Sequence, residues 1–109
     1  METNDFYCDE VFSEKTSVEK VEETPNVLAF YHTKPSYRVH IVVVPRSHVT
    51  RFVDVKDMAI IKEIFEVAQK IILRLKLHES NYRIITNGGS FQDSQHLHFH
   101  LVSGEKLSK

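Results

Sequence analysis

Residues 96–102 read His-Leu-His-Phe-His-Leu-Val, and three of the seven histidines of the chain fall within them. In an extended segment alternate residues share a face. The pattern therefore predicts a strand over His96–Val102 with His96, His98 and His100 on one side, roughly 6.7 Å from neighbour to neighbour. Leu97, Phe99 and Leu101 take the other side and pack into the core. A solvated strand face normally mixes Thr, Lys, Glu and Ser, so a row of imidazoles reads as chemistry. Two kinds suit it. A His-x-His pair can chelate zinc or iron, with His40 or His48 as a further ligand. Alternatively, a neutral imidazole attacks a phosphoryl centre to form a phosphoramidate, while neighbouring imidazoliums and backbone N–H groups hold the oxygens and water completes the reaction.

These side chains need elements to position them. With 109 residues, the chain has length for one domain. Hydrophobic residues make up 41% and charged residues 27%, in keeping with a globular protein. Val27–Tyr31, His40–Val44 and Tyr82–Thr86 read as strands, the second stopping at Pro45. Ser17–Glu23 is a weaker edge-strand signal, and residues 6–12 suggest a short helix or turn. Asp54 is a plausible N-cap, with Asp57 in the first turn. Ile61, Ile64, Phe65, Ala68, Ile71, Ile72 and Leu75 follow at helical spacing and form one apolar stripe. Asn87–Ser90 reads as a turn, and residues 1–5 and 105–109 as ragged ends. Strands, a long helix and more strands point to α+β, a helix on one face of a mainly antiparallel sheet.

Lys plus Arg number 14 and Asp plus Glu 15, with no basic stripe, so no nucleic-acid partner is expected. No apolar run approaches the roughly 18 residues of a membrane span. Cys8 is the only cysteine, and the start has no basic, apolar leader, so a cytoplasmic, reducing location is expected.

The segment HLHFHLV resembles the histidine triad (HIT) signature, His-φ-His-φ-His-φ-φ, at every position. The resemblance extends from about Phe6 to Gly104. Val27-Leu28-Ala29-Phe30 is similar to the second strand of that family. His40-Ile-Val-Val-Val-Pro45-Arg-Ser-His48 is similar to its strand ending in Pro-x-x-His, and Asn87-Gly88-Gly89 to its Asn-x-Gly turn. The small Hint-type branch is the nearest in pattern. The resemblance implies a five-stranded antiparallel sheet with one long and one short helix, paired in a homodimer into ten strands. It implies hydrolysis or transfer at the α-phosphate of a purine nucleotide or nucleotide conjugate: a phosphoramidate, an acyl-adenylate or a dinucleoside polyphosphate. It makes His98 the nucleophile, His96 and His100 the flanking members that orient it and contact phosphate, and His40 a fourth active-site histidine. Phe6, Tyr7 and Phe30 match positions around the base, and Asn87 one near the leaving group. No cofactor is required.

Two departures mark this chain. Where the family commonly carries an Asp on the ribose hydroxyls, the chain has His32, followed by Thr33. The usual Gly-Gln-Ser/Thr-Val-x-His becomes Phe91-Gln92-Asp93-Ser94-Gln95-His96. Gln92 keeps its spacing, and the leaving-group hydroxyl is either Ser94, slipped by one, or replaced by Asp93. A structural zinc on Asp5, Cys8, His48 and His96 is a further alternative, weaker than a thiolate-rich site. The competing functions are a non-catalytic nucleotide-binding or interaction protein on the same fold, and a metal enzyme using His96, His98 and His40.

Overall fold

The run His-Ile-Val-Val-Val is apolar on both faces, the signature of a strand covered from both sides. It forms the middle of β3 (Tyr37–Pro45), the longest strand. The structure is a computed structural model that describes Val11 and residues 17–107. Phe6, Tyr7, Asp5 and Cys8 lie outside the described residues, as does the short element expected over 6–12 apart from Val11.

Around β3 stand β1 (Lys20–Glu23), β2 (Val27–Tyr31), β4 (Arg83–Thr86) and β5 (Phe99–Lys106). The five form one antiparallel sheet in the order β1-β2-β3-β5-β4. The expected α+β class is thus the observed one. Among the described residues, the ragged end expected over 105–109 does not begin at 105. Glu105 and Lys106 belong to β5, and the Leu107 N–H donates to the Ser36 carbonyl at 2.9 Å.

The histidine segment differs from its expectation in one respect. β5 starts at Phe99, opposite Val43, and does not reach back to His96. Further pairing would bring the chain alongside Pro45, which has no N–H to offer a ladder. Residues 96–98 are pinned another way: the Leu97 N–H donates to the Val49 carbonyl at 2.6 Å, and the Thr86 hydroxyl to the His98 carbonyl at 2.9 Å.

The helix α1 spans Ala59–Arg74 and begins later than its pattern suggested. Asp54 is no cap. It closes a short 3-10 turn, Phe52–Asp54, and takes two hydrogen bonds from the Arg51 guanidinium, both 2.9 Å. Asp57 does the capping work instead, accepting from the Ala59 N–H at 3.0 Å. Ile61, Ile64, Val67, Ala68, Ile71 and Ile72 are the buried face. Phe65, expected in the stripe, is 45% exposed and Leu75 lies beyond the helix, while Val67 takes the interior place. Lys76 then adopts a left-handed conformation (φ 59°) and ends the element. No helix among the described residues is long and apolar enough to cross a membrane.

Strand alternation separates the two sheet faces. Val27, Ala29, Ile41, Val43, Phe99 and Leu101 meet α1 in the main core. Leu28, Phe30, Val42 and Val44 form a smaller cluster with Val11 on the other side. Val42 pairs with His100 and His40 with Val102, so that second face turns from apolar to imidazole as it crosses from β2 to β5.

Candidate functional site

The imidazoles gather on the sheet face opposite α1. β3 supplies His40, β5 supplies His100, and the pinned segment before β5 supplies His98. His32 follows β2, and its N–H donates to the His40 carbonyl at 2.8 Å, which sets it beside β3. Ring centroids are 4.9 Å apart for His98 and His100, 5.0 Å for His40 and His100, and 4.4 Å for His32 and His40. The contiguous row is therefore His98, His100, His40 and His32. His96 is not one of its exposed members: it is fully buried, its ring lies edge-on to His48 at 5.4 Å, and its Nε2–H donates to the Pro45 carbonyl at 2.7 Å. A group so enclosed does not touch phosphate. It holds its neighbour, because the His96 carbonyl receives the Nδ1–H of His98 at 2.8 Å.

Backbone partners fix which nitrogen of each ring carries hydrogen. A carbonyl only accepts, so His98 is protonated at Nδ1 and its Nε2 holds the lone pair in the neutral ring. The reverse holds for two others. The Ser36 N–H donates to His40 Nδ1 and the Lys34 N–H to His32 Nδ1, each at 2.9 Å. Neutral His40 and His32 therefore carry hydrogen at Nε2. His40 Nε2–H then donates to His100 Nδ1 at 2.8 Å, which leaves His100 with its own hydrogen at Nε2. Burial pushes the His100 pKa down to about 4, helped by the charges of His98, His40 and His32. Burial, then the charge of His32, brings His40 to about 4 as well. Both are neutral near pH 7, so neither of these two supplies an expected neighbouring imidazolium there.

The same hydrogen positions bear on metal binding. One nitrogen each from His32, His40 and His100 lie within 4.8 Å of one another, and this is the cluster found among the described residues. The expected metal set of His96, His98 and His40 is not brought together. A ligating imidazole normally donates its second nitrogen's hydrogen to an acceptor. Here the second nitrogens of His32 and His40 face N–H donors, so the inward nitrogens carry hydrogen and cannot ligate without displacing it. The cluster suits an anion better than a cation. His96 and His48, the described half of the expected zinc set, lie side by side.

Next to the row is a cleft of about 240 Å³ lined by Phe30, Val42, His32, Thr33, Lys34, Asp93 and Ser94. Of the expected nucleotide-binding residues, Phe30, His32, Thr33 and Ser94 are thus brought together. Gln92 is not in the lining: its Nε2 donates to the Thr50 carbonyl at 2.6 Å and the Ser94 carbonyl at 2.8 Å, bracing the turn. Asn87, half-buried, follows β4 and is likewise outside the cleft lining. A larger cleft of about 640 Å³ lies by the N-terminus of α1, bordered by His48, Asp57 and Glu63, away from the row. Size does not locate the chemistry here; the clustered imidazoles do. Asp93 places Oδ1 3.4 Å from His98 Nε2. From sequence Asp93 is one of two alternatives for the leaving-group position, beside Ser94, and its proximity to the ring depends on the turn.

Comparison with known proteins agrees with this geometry. The HIT domain model matches residues 13–107. An uncharacterized HIT-like protein of Helicobacter pylori is 34% identical over 92 residues, covering 80% of this chain and 85% of its own. A histidine triad protein from Clostridium difficile superposes with a TM-score of 0.85 at 32% identity, over 100% of this chain and 97% of that one. A HIT family hydrolase from Legionella pneumophila superposes with a TM-score of 0.84 at 27% identity, over 95% and 96%.

Proposed function

Because this chain belongs to the HIT domain family, we propose that it is a hydrolase or transferase acting at the α-phosphate of a nucleotide conjugate through a nucleotidyl-histidine intermediate. One observation carries the reading: the His96 carbonyl takes the Nδ1–H of His98, which leaves the lone pair of the neutral ring on Nε2. That nitrogen attacks phosphorus, and the P–Nε2 bond replaces the bond to the leaving group. Nδ1–H held on a carbonyl stabilises the charge that the ring acquires. His100 offers Nε2–H to a phosphoryl oxygen, oriented through the His40 and Ser36 hydrogen bonds behind it. Phe30 and Val42 supply an apolar seat for the base. The hydrolase named among the structural relatives supports hydrolysis at the coarse level.

The substrate is a purine nucleotide conjugate, such as an adenosine phosphoramidate. No metal takes part, in line with the hydrogens on the clustered nitrogens. His98→Ala is expected to lower turnover of adenosine 5′-phosphoramidate by several orders of magnitude while AMP affinity stays within about tenfold, since the lost interaction belongs to the transition state. EDTA leaves the rate unchanged. Full activity in His98→Ala removes the assignment. AMP binding without turnover by the unmodified protein makes it a binding module, and zinc-restored activity after EDTA makes it a metal enzyme.

A further inference from the structure

We infer that Asp93 is the general base that takes the proton from the water hydrolysing the nucleotidyl-histidine intermediate. The inference rests on the covalent reading above and names a residue for its second half.

Once His98 Nε2 is bonded to phosphorus, another group must accept the proton of the attacking water. The lone pair of His100 Nδ1 receives His40 Nε2–H. The lone pair of His40 Nδ1 receives the Ser36 N–H, and that of His32 Nδ1 the Lys34 N–H. His96 is fully buried, out of reach of water. Among the described residues, no imidazole of the row then turns an open acceptor to the cleft. Asp93 does: a carboxylate offers acceptors only, and Oδ1 stands 3.4 Å from the nucleophilic nitrogen. The side chain is 82% exposed, so water reaches it.

The chain on both sides of Asp93 is held. On one side Gln92 ties the turn to the Thr50 and Ser94 carbonyls. On the other, Ser94 is buried, 6% exposed. Asp93 projects from between two anchored residues, the kind of support that a positioned base needs.

The step balances. Water oxygen bonds to phosphorus as the P–Nε2 bond breaks, and that electron pair returns to His98. The water's proton moves to the Asp93 carboxylate and from there to solvent, leaving a nucleoside monophosphate. A positioned base of this kind contributes about 10² to 10⁴ in rate.

Rapid-quench and intact-mass measurements with adenosine 5′-phosphoramidate follow the two halves separately. In Asp93→Asn, adduct formation is expected to stay within about tenfold of the unmodified protein, while adduct hydrolysis slows about 100-fold or more. Adduct then accumulates. Asp93→Glu keeps a carboxylate and is expected to hydrolyse adduct at least tenfold faster than Asp93→Asn; a merely structural role would not rank the two this way. Decay of the Asp93→Asn adduct at the unmodified rate overturns the inference and leaves the covalent reading intact. Turnover by both proteins with no adduct in either overturns both.

Discussion

His32 stands where the resemblance implies a ribose-binding Asp, and the proposed site inherits a different chemistry there. A carboxylate at this position accepts two hydroxyl hydrogen bonds. An imidazole has at most one lone pair, and here that lone pair is engaged by the Lys34 N–H. Ribose selectivity depends on the penalty for leaving a buried acceptor without its hydroxyl, and His32 presents no such acceptor. The unmodified protein is expected to prefer ribonucleotides over deoxyribonucleotides by less than about tenfold, and His32→Asp to raise that ratio. Paired kcat/KM values for the two sugars check this. Strong selectivity in the unmodified protein would assign the ribose to another group.

At the scale of elements, the sheet and α1 are joined by a polar clamp as well as by the core. Glu63, on the first turns of α1, accepts from the Thr24 hydroxyl at 2.5 Å, the Asn26 N–H at 3.2 Å and Asn26 Nδ2 at 3.1 Å. These donors hold its carboxyl below the usual range, the Thr24 hydroxyl most. The clamp fixes the β1–β2 turn against the helix. Farther along, Arg74 donates to the Val21 carbonyl at 2.8 Å and pairs with Glu22. Glu63→Ala is expected to cost about 1–2 kcal/mol in urea unfolding, as hydrogen bonds to a charged group do. Glu66→Ala is the control: it loses only a helix-surface pair with Lys62, worth about 0.3–0.5 kcal/mol.

Two properties belong to the whole molecule. The first is acid sensitivity. His40 and His100 titrate near 4 in the fold against 6.5 without it. Between those values the unfolded chain binds protons that the folded chain refuses, so stability rises with pH across the window. It is fully present above about pH 6.5 and lost as pH falls to about 4. A loss on the order of a few kcal/mol is expected, reduced by solvent at half-buried His100. Urea midpoints at pH 7 and pH 4.5 measure it, and His40→Gln with His100→Gln should flatten the slope. The second property is assembly. β4 is a sheet edge, and on the α1 side Ile84 is 40% and Phe65 45% exposed, with Phe65 edge-on to Phe99 at 5.8 Å. Bare edges with apolar cover invite a second chain. A homodimer through this edge is expected, split by Ile84→Asp; a monomer mass in light scattering at micromolar concentration counts against it.

Local pattern determined a great deal of this protein. The alternation of Leu97, Phe99 and Leu101 with histidines already separated core from chemistry, because side chains of an extended chain must alternate. The run at β3 and the spacing along α1 set the strand and the helix for the same reason of periodicity. The His-φ-His-φ-His pattern pointed to His98 through its resemblance. What local pattern could not carry is the partner of each polar atom. Asp54 reads as the cap until the 3-10 turn engages it with Arg51 and leaves the Ala59 N–H to Asp57. His96 and His100 look symmetric about His98. Only the failure of the ladder beside Pro45 buries one and leaves the other in the row. Which nitrogen of each ring bears hydrogen was decided by backbone groups of Ser36, Lys34 and the His96 carbonyl. Hydrogen bonds act over about 3 Å and depend on angle. The hydrogen-bonding pattern of the histidine row was therefore set only when the strands had paired.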